Sequence, residues 1–225
     1  MSLKRYYGPK GSYLEEHKEY FSPEQLQKDV DFLIKSLKLK KRDKILDVAC
    51  GNGRHTIELK KRGYNIDGLD FSDYLIEVAK KHAKQENLEI NFFTQDIHKL
   101  DLKKKYNKIF LFFSDLRMIE PDETLKNITK IMEKNGMFLL DCDNVFRVIG
   151  YLRENPKAPY KFDFTKMELV VDKDHSNKGV RYYTFPELKR KFNDNNLFIS
   201  SVYGNYDMEK LNINSRRVII IGKKK

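Results

Sequence analysis

The feature that most constrains this chain is an alternation. Between Lys44 and Cys142, apolar runs of strand length are separated by segments of helical period. The runs read KILDVAC, YNIDGLD, EINFFTQ, KIFLFF and GMFLLDC, and the helical segments read GRHTIELKKRG, SDYLIEVAKKHAKQEN and PDETLKNITKIMEK. A strand, a helix and a second strand in one sheet join by a right-handed crossover, so repetition of the unit predicts a parallel sheet covered by helices on both faces. Pro121, Asp122 and Glu123 place acidic groups in a first turn, where they suit the helix dipole. Upstream, Ser22, Pro23 and Gln25 predict an N-cap with a capping-box partner, and Leu26, Val30, Leu33 and Leu37 recur at helical spacing behind them.

The alternation breaks after Asn144. Residues 145–183 hold a short helical piece, the proline-bearing ENPKAPY, and two extended segments, KFDFTKMELVV and GVRYYTF, joined by the polar DKDHSNK, which together predict an inserted hairpin. Thr184, Pro186 and Glu187 then open another helix with a T-x-x-E capping box, and LFISSVYG and RRVIIIGK close as strands. A chain of 225 residues supports one substantial core, so 1–225 is expected to form a single domain, with 1–38 as an N-terminal helical cap and 145–183 as an insertion.

In an open parallel sheet the ligand cleft lies beyond the carboxyl ends of the strands, where strand order reverses. The first strand delivers Asp47 to that edge, followed by the turn Ala49, Cys50, Gly51, Asn52, Gly53 and a helix starting near Arg54. Such a turn suits two ligand classes. A dinucleotide site wants a small residue at the third position of G-x-G-x-x-G, and Thr56 stands there instead. The Asp47 carboxylate would repel a pyrophosphate and attract an ammonium group. Asp70 ends the second strand, where a carboxylate can accept hydrogen bonds from both hydroxyls of an unphosphorylated ribose, and either ligand class satisfies that contact. Phe71 offers an apolar face for adenine, and Asp96 with Ile97 follows the third strand as a further acceptor.

Taken in order, ILDVACGNGRH, GLDFS, TQDIHKLDL, KIFLFFSD and LKNITKIMEKNGMFLLD resemble the successive motifs of the class I S-adenosylmethionine-dependent methyltransferases. The resemblance implies a Rossmann-like α/β fold: a seven-stranded, mostly parallel sheet with an antiparallel last strand, RRVIIIGK, and here a β-hairpin inserted after the fifth strand. It implies S-adenosylmethionine as cofactor, with Asp47, Gly51 and Gly53 lining the methionine portion, Asp70 on the ribose, Asp96 and Ile97 at the adenine, and Phe112, Phe113 and Ser114 beside the sulfonium. Ala49, Asn52 and Arg54 belong to the same cofactor-binding turn. One departure is Asn107, where the family commonly has aspartate before the fourth strand; the expected effect is on a local cap.

The acceptor has no signature of its own. FFSD stands where amino-nitrogen methyltransferases carry [ND]-P-P-[YF], and no Pro-Cys or Thr-Cys supplies a nucleophile for a pyrimidine ring. Candidates on the acceptor side are Tyr13 and Tyr20 of the N-terminal segment, Ser114, and Arg147, Arg153, Arg181 and Tyr183 of the insertion, a mixture suited to a planar or carboxylated small molecule and also to RNA bases. His55 and His98 are candidate bases, and no residue is assigned as catalytic.

A small-molecule acceptor is the leading expectation. RNA or protein is the alternative, prompted by the net charge of +11, which a lysine-rich solvated surface also explains. A nicotinamide-dependent oxidoreductase and a non-catalytic cofactor-binding protein are further alternatives. Cys50 and Cys142 lie in apolar runs, which predicts buried thiols and neither disulfide nor zinc. No run approaches a membrane span and MSLKRYYGPKG has no apolar stretch, so a cytoplasmic protein without a membrane partner is expected; oligomeric state has no signature.

Overall fold

The computed structural model describes residues 3–16, 18, 22–113, 120–171 and 179–225. Two short helices, α1 (Leu3–Tyr6) and α2 (Tyr13–Glu16), precede α3 (Pro23–Leu37), β1 (Ile45–Val48), α4 (Arg54–Lys61), β2 (Ile66–Asp70), α5 (Asp73–Gln85) and β3 (Phe92–Thr94). Then come β4 (Tyr106–Leu111), α6 (Pro121–Ile131), β5 (Met132–Asp143), α7 (Val145–Glu154), β6 (Tyr160–Asp163), β7 (Glu168–Val171), β8 (Val180–Arg181), α8 (Phe185–Asp194), β9 (Leu197–Tyr203) and β10 (Arg217–Lys224).

Seven strands form one sheet in the order β3-β2-β1-β4-β5-β10-β9. β1 pairs in parallel with β2 and β4, so strand order reverses at β1, while β10 is antiparallel to both β5 and β9. The strands are apolar on both faces because each face carries helices. On one, Val30, Leu33 and Leu37 of α3 and Leu59 of α4 pack on Ile45, Phe110, Leu139, Ile219 and Ile221. On the other, Leu125 and Ile128 of α6 and Leu188 and Phe192 of α8 pack on Leu46, Leu111, Phe138, Leu140 and Ile220. The third helix, inside the segment expected as an N-terminal cap, is therefore a layer of the core.

The local signals at α3 hold in part. Ser22 accepts from Gln25 N, but the Gln25 side chain donates to Asp29 at 2.7 Å, so half of the capping box is replaced by a link to a buried carboxylate. The box at α8 is complete, with Thr184 and Glu187 exchanging both bonds. The last turn of the α6 pattern is overridden: the helix stops at Ile131 because Met132 leaves it to pair with Tyr106 of β4, and strand begins three residues earlier than the helical period suggests.

The insertion contains more strand than a hairpin. KFDFTKMELVV folds back on itself, giving the antiparallel three-stranded sheet β6-β7-β8. The reversal is built by Asp163, whose Oδ1 accepts Thr165 N at 2.8 Å, Thr165 Oγ1 at 2.6 Å and Lys166 N at 3.2 Å, a side-chain-made turn that reads as continuous strand if only the apolar residues are followed. The polar segment 172–178 lies outside the described residues.

Asn107 is no cap. It lies within β4, where its Oδ1 accepts Lys44 N at 2.8 Å and its Nδ2 donates to Asp43 Oδ1 at 2.8 Å, tying the start of β1 to β4. Only a carboxamide supplies both an acceptor and a donor here. Asn107→Asp should therefore set a carboxylate against the buried Asp43 and cost about 1–3 kcal/mol at neutral pH. The like-charge contact raises a folded-state carboxyl pKa, so the loss should be present above that pKa and recede as the pH falls through it. Chemical denaturation at neutral and acidic pH measures both effects.

Candidate functional site

The carboxyl edge of the sheet gathers the site. Asp47 lies next to the last residue of β1 at a relative exposure of 2%, and after Val48 the chain turns sharply through three left-handed residues, Ala49 (φ 56°), Gly51 (φ 56°) and Gly53 (φ 77°). Two of the three are glycine, which adopts that region without a Cβ penalty. They differ in purpose. A Cβ on Gly51 would meet nothing nearer than the Tyr13 hydroxyl at 3.9 Å, so this position lies open to the cleft. A Cβ on Gly53 would strike Ala79 of α5 at 2.8 Å and Phe92 of β3 at 3.1 Å, so the second glycine serves close packing where α4 begins.

Two carboxylates border this turn. Asp70 Oδ2 accepts Gly51 N at 2.9 Å, and Asp70 Oδ1 accepts Ser72 N at 2.9 Å, so one side chain fixes the turns after β1 and β2 together. Burial raises the Asp70 pKa, opposed by the backbone N–H groups of Ser72, Gly51 and Phe71. Asp47 Oδ2 accepts Thr56 Oγ1 at 2.6 Å. Burial pushes the Asp47 carboxyl up to about 7; the Thr56 hydroxyl and Arg54 oppose the rise and Asp70 adds to it. Thr56, read in the sequence only as a misfit to a dinucleotide motif, is the donor that keeps this carboxylate in place.

Two partly dehydrated carboxylates beside an open backbone turn fit a ligand bearing a cation and hydroxyl donors, and they oppose a phosphate. S-adenosylmethionine, with its ammonium, sulfonium and ribose hydroxyls, meets that demand. Its expected adenine end is more committed. Asp96 caps a 3-10 turn, Ile97–Lys99, and its Oδ1 takes both His98 N and His98 Nδ1 at 2.9 Å. Ile97 is buried, and its carbonyl accepts Asn127 Nδ2.

The N-terminal segment covers this edge. Tyr6, Tyr7 and Tyr13 form a ring cluster with centroids 4.7–5.9 Å apart, and Tyr7 meets Phe71 edge-to-face at 5.4 Å. Ser72 Oγ donates to the Tyr7 carbonyl at 2.8 Å. Tyr13 is thereby brought beside Gly51, while Tyr20 and Ser114 lie outside the described residues.

Neither candidate base is free for proton transfer. His55 is buried against Asp29, with Nε2 3.0 Å from Oδ2, and burial together with the Arg54 charge lowers its pKa to about 4 despite Asp29. It is neutral at pH 7 and donates from Nε2. His98 uses Nδ1 on Asp96 and accepts Glu120 N at Nε2, 3.1 Å away, so it ties the 3-10 turn to the start of α6. The insertion candidates disperse: Arg147 and Arg153 are exposed on α7, while Arg181 pairs with Glu187 at 2.6 Å in the α8 cap and lies over the Tyr183 ring at 4.7 Å.

Sequence reasoning missed a second cluster. Asp141 near the end of β5 is fully buried, and accepts Arg217 Nε at 2.8 Å, Phe113 N at 2.8 Å and the Tyr206 hydroxyl at 2.9 Å. Phe112 packs under it among Phe32, His55 and Tyr206, and the Phe113 ring lies 5.6 Å from Arg54 Cζ and 5.2 Å from Arg217 Cζ. One signal was legible: Asp141 and Arg217 are charges inside the apolar runs GMFLLDC and RRVIIIGK, and buried charges come in pairs. Arg217 Nη2 is buried without a hydrogen-bond partner among the described residues, which carries a desolvation penalty of about 1–3 kcal/mol or more for a charged group.

Residues 39–194 match the model of a methyltransferase domain family. Among curated proteins, the chain is 33% identical over 121 residues to a ubiquinone biosynthesis O-methyltransferase of Coxiella burnetii, covering 53% of this chain and 51% of that protein. It is 27% identical over 109 residues to a putative methyltransferase of Geobacillus sp. (strain WCH70), covering 47% and 44%. The chain thus spans about half the length of these curated relatives. In fold it is similar to an S-adenosylmethionine-dependent methyltransferase from Clostridium acetobutylicum ATCC 824, with a TM-score of 0.73 at 18% identity over 95% of this chain and 99% of that one. It is also similar to magnesium protoporphyrin IX methyltransferase from Synechocystis PCC 6803 with bound SAH, with a TM-score of 0.68 at 13% identity over 99% and 98%. With the family model covering most of the chain, the sheet order and the cation-seeking turn agreeing, this protein belongs to the class I S-adenosylmethionine-dependent methyltransferases.

Proposed function

We propose that this enzyme methylates a small-molecule acceptor. The observation that carries the reading is the aromatic cluster beside the donor turn: Tyr6, Tyr7 and Tyr13 pack on one another, Tyr7 is fixed to Phe71 and Ser72, and Tyr13 lies against Gly51, an apolar and aromatic surrounding of the kind that small-molecule sites use. The curated relatives named as ubiquinone biosynthesis O-methyltransferases support it.

When bound, S-adenosylmethionine supplies a methyl group on a sulfonium, which an acceptor displaces in line. The protein's work is then alignment and exclusion of water. In this reading Asp47 draws the ammonium, Asp70 takes the ribose hydroxyls with the lone pairs its two backbone donors leave free, and Asp96 takes the adenine amine. Residues 145–183 act as the acceptor-side lid, since α7 leaves the sheet directly after β5 at the edge where the cofactor binds. The whole chain acts as one domain.

Incubation of the protein with methyl-labelled S-adenosylmethionine and, separately, low-molecular-weight extract, RNA and protein tests the reading. Label should enter the low-molecular-weight fraction; label confined to RNA or protein would overturn it. Replacing 145–183 by a short linker should leave product affinity unchanged and abolish that transfer, and an unchanged rate in the folded, shortened protein would remove the lid.

The Asp47 carboxyl gives a pH signature. With its folded-state pKa raised to about 7, it contributes stability below its unfolded value that is lost as pH rises through about 7. A cationic donor favours the ionised form, so donor affinity should climb across the same interval and binding should release a proton. Calorimetry in buffers of different ionisation enthalpy detects the release. In the same titrations Asp70→Ala should weaken the donor more than Asp96→Ala, because truncation at Asp70 removes two hydroxyl contacts and frees Gly51 N, while Asp96 offers one amine contact.

A further inference from the structure

Arg217 is unusual among the charged residues of this fold. It opens β10, which runs antiparallel to β5, so it stands opposite Asp143 at the carboxyl edge of the sheet. At 7% exposure its Nε donates to Asp141 Oδ1 and its Nη1 to Asp143 Oδ1, yet Nη2 has no partner among the described residues. Asp141 offers no remaining place on its other oxygen. Oδ2 already receives Phe113 N and the Tyr206 hydroxyl, one donor for each lone pair.

Tyr206 completes the picture. Its proton goes to Asp141, leaving the phenolic oxygen with lone pairs to offer, and burial beside Asp141 raises its pKa so that the proton stays. Arg217 and Tyr206 are held by the two oxygens of one carboxylate, so one small polar group can reach both. That group meets an N–H donor from Nη2 and an oxygen acceptor from Tyr206. A hydroxyl matches this pair, since it accepts and donates at once.

Charge decides between a neutral and an anionic partner. The Arg217 guanidinium faces Asp141 and Asp143, two carboxylates against one cation, so a carboxylate or phosphate entering here meets net negative charge. The walls decide its shape. The Tyr206 ring lies 5.0 Å from Phe112 and 5.4 Å from Phe32, and the Phe113 ring, partly exposed, is the group against the guanidinium that a planar ligand stacks on or displaces. On its other contact Phe113 meets Arg54 at the donor turn, so this cluster adjoins the donor turn.

We propose that Arg217 Nη2 and the Tyr206 hydroxyl anchor an uncharged hydroxyl group on a planar methyl acceptor. The proposal rests on the small-molecule reading above and assigns specificity to residues beyond the 39–194 segment that the family model matches.

Phenol, benzoate and aniline carry one ring and three different polar groups, which makes them direct probes. Each is titrated by ligand-observed NMR into the full-length protein saturated with S-adenosylhomocysteine. Phenol should bind more tightly than benzoate and aniline. Tyr206→Phe and Arg217→Lys should each weaken phenol by about tenfold, the worth of one hydrogen bond, and change S-adenosylhomocysteine affinity by less than about twofold. Lysine keeps a positive charge against Asp141 and Asp143 but loses the planar fork that holds both carboxylates along with the spare donor; Tyr206→Phe, which deletes a single oxygen, is therefore the decisive variant and carries the test alone should the lysine variant fail to fold. Preference for benzoate or aniline, phenol binding indifferent to the substitutions, or no probe binding to the loaded protein would overturn the anchor. Methyl label found only in RNA or protein, with phenol still bound through Tyr206, would sink the small-molecule reading and leave the anchor standing.

Discussion

The fold is organised by carboxylates removed from water at the ends of strands. A buried carboxylate without donors neutralises itself or destabilises the chain, so each one dictates what surrounds it. Asp70 recruits the backbone of two turns, Asp47 recruits Thr56, and Asp141 recruits Arg217, Phe113 and Tyr206. These bonds hold together elements far apart in sequence: Asp70 joins β2 to the turn after β1, and Asp141 joins β5 to β10 and to the end of β4. The sheet supplies the hydrophobic free energy, but its carboxyl edge takes its shape from three acidic side chains.

Their satisfaction is unequal, and the inequality locates the chemistry. Among the described residues Asp141 meets three donors, one of them a guanidinium, and is structural in that sense. Asp47 has a hydroxyl from Thr56 and the more distant charge of Arg54, which is too little to offset its dehydration, so its carboxyl lies near 7. A site tuned this way gains from a cation that arrives with the ligand. Stability and binding are then coupled through one proton, and the donor completes an electrostatic set that the protein alone leaves short.

Much of this edge was legible because the constraints there are local. Asp47, Gly51, Gly53 and Asp70 lie within one strand-turn-helix-strand unit, and the alternation of apolar runs with helical period predicts both the sheet and the edge. The meeting of Arg217 and Tyr206 on one carboxylate was illegible for the opposite reason. Their partner Asp141 is 76 and 65 residues away, and only the antiparallel return of β10 places them together. The insertion at 145–183 is antiparallel strand as expected but has one strand more than a hairpin, for a third kind of reason: the Asp163 side chain makes a turn inside what reads as one extended segment, and side-chain-to-backbone bonding leaves no mark on periodicity. His55 shows a fourth, since a histidine two positions after a glycine turn reads as a base until Asp29, on a helix outside the motif, claims its nitrogen.

The donor and acceptor halves meet at one ring. Phe113 takes a left-handed backbone, φ 54°, which costs a non-glycine residue about 1–2 kcal/mol, and the bond from its N–H to Asp141 is what holds it there. That conformation sets the ring between Arg54, which belongs to the donor turn, and Arg217, which belongs to the second cluster. Arg54 in turn is close enough to Asp29, Tyr13, Tyr206 and Asp47 to feel their charge. The two arginines therefore share one aromatic neighbour, whose backbone is tethered to the buried carboxylate. The tether has a directional consequence: Phe113 can leave its place only by surrendering a hydrogen bond to a fully buried carboxylate, whereas Tyr206 and Arg217 would still hold Asp141 in position.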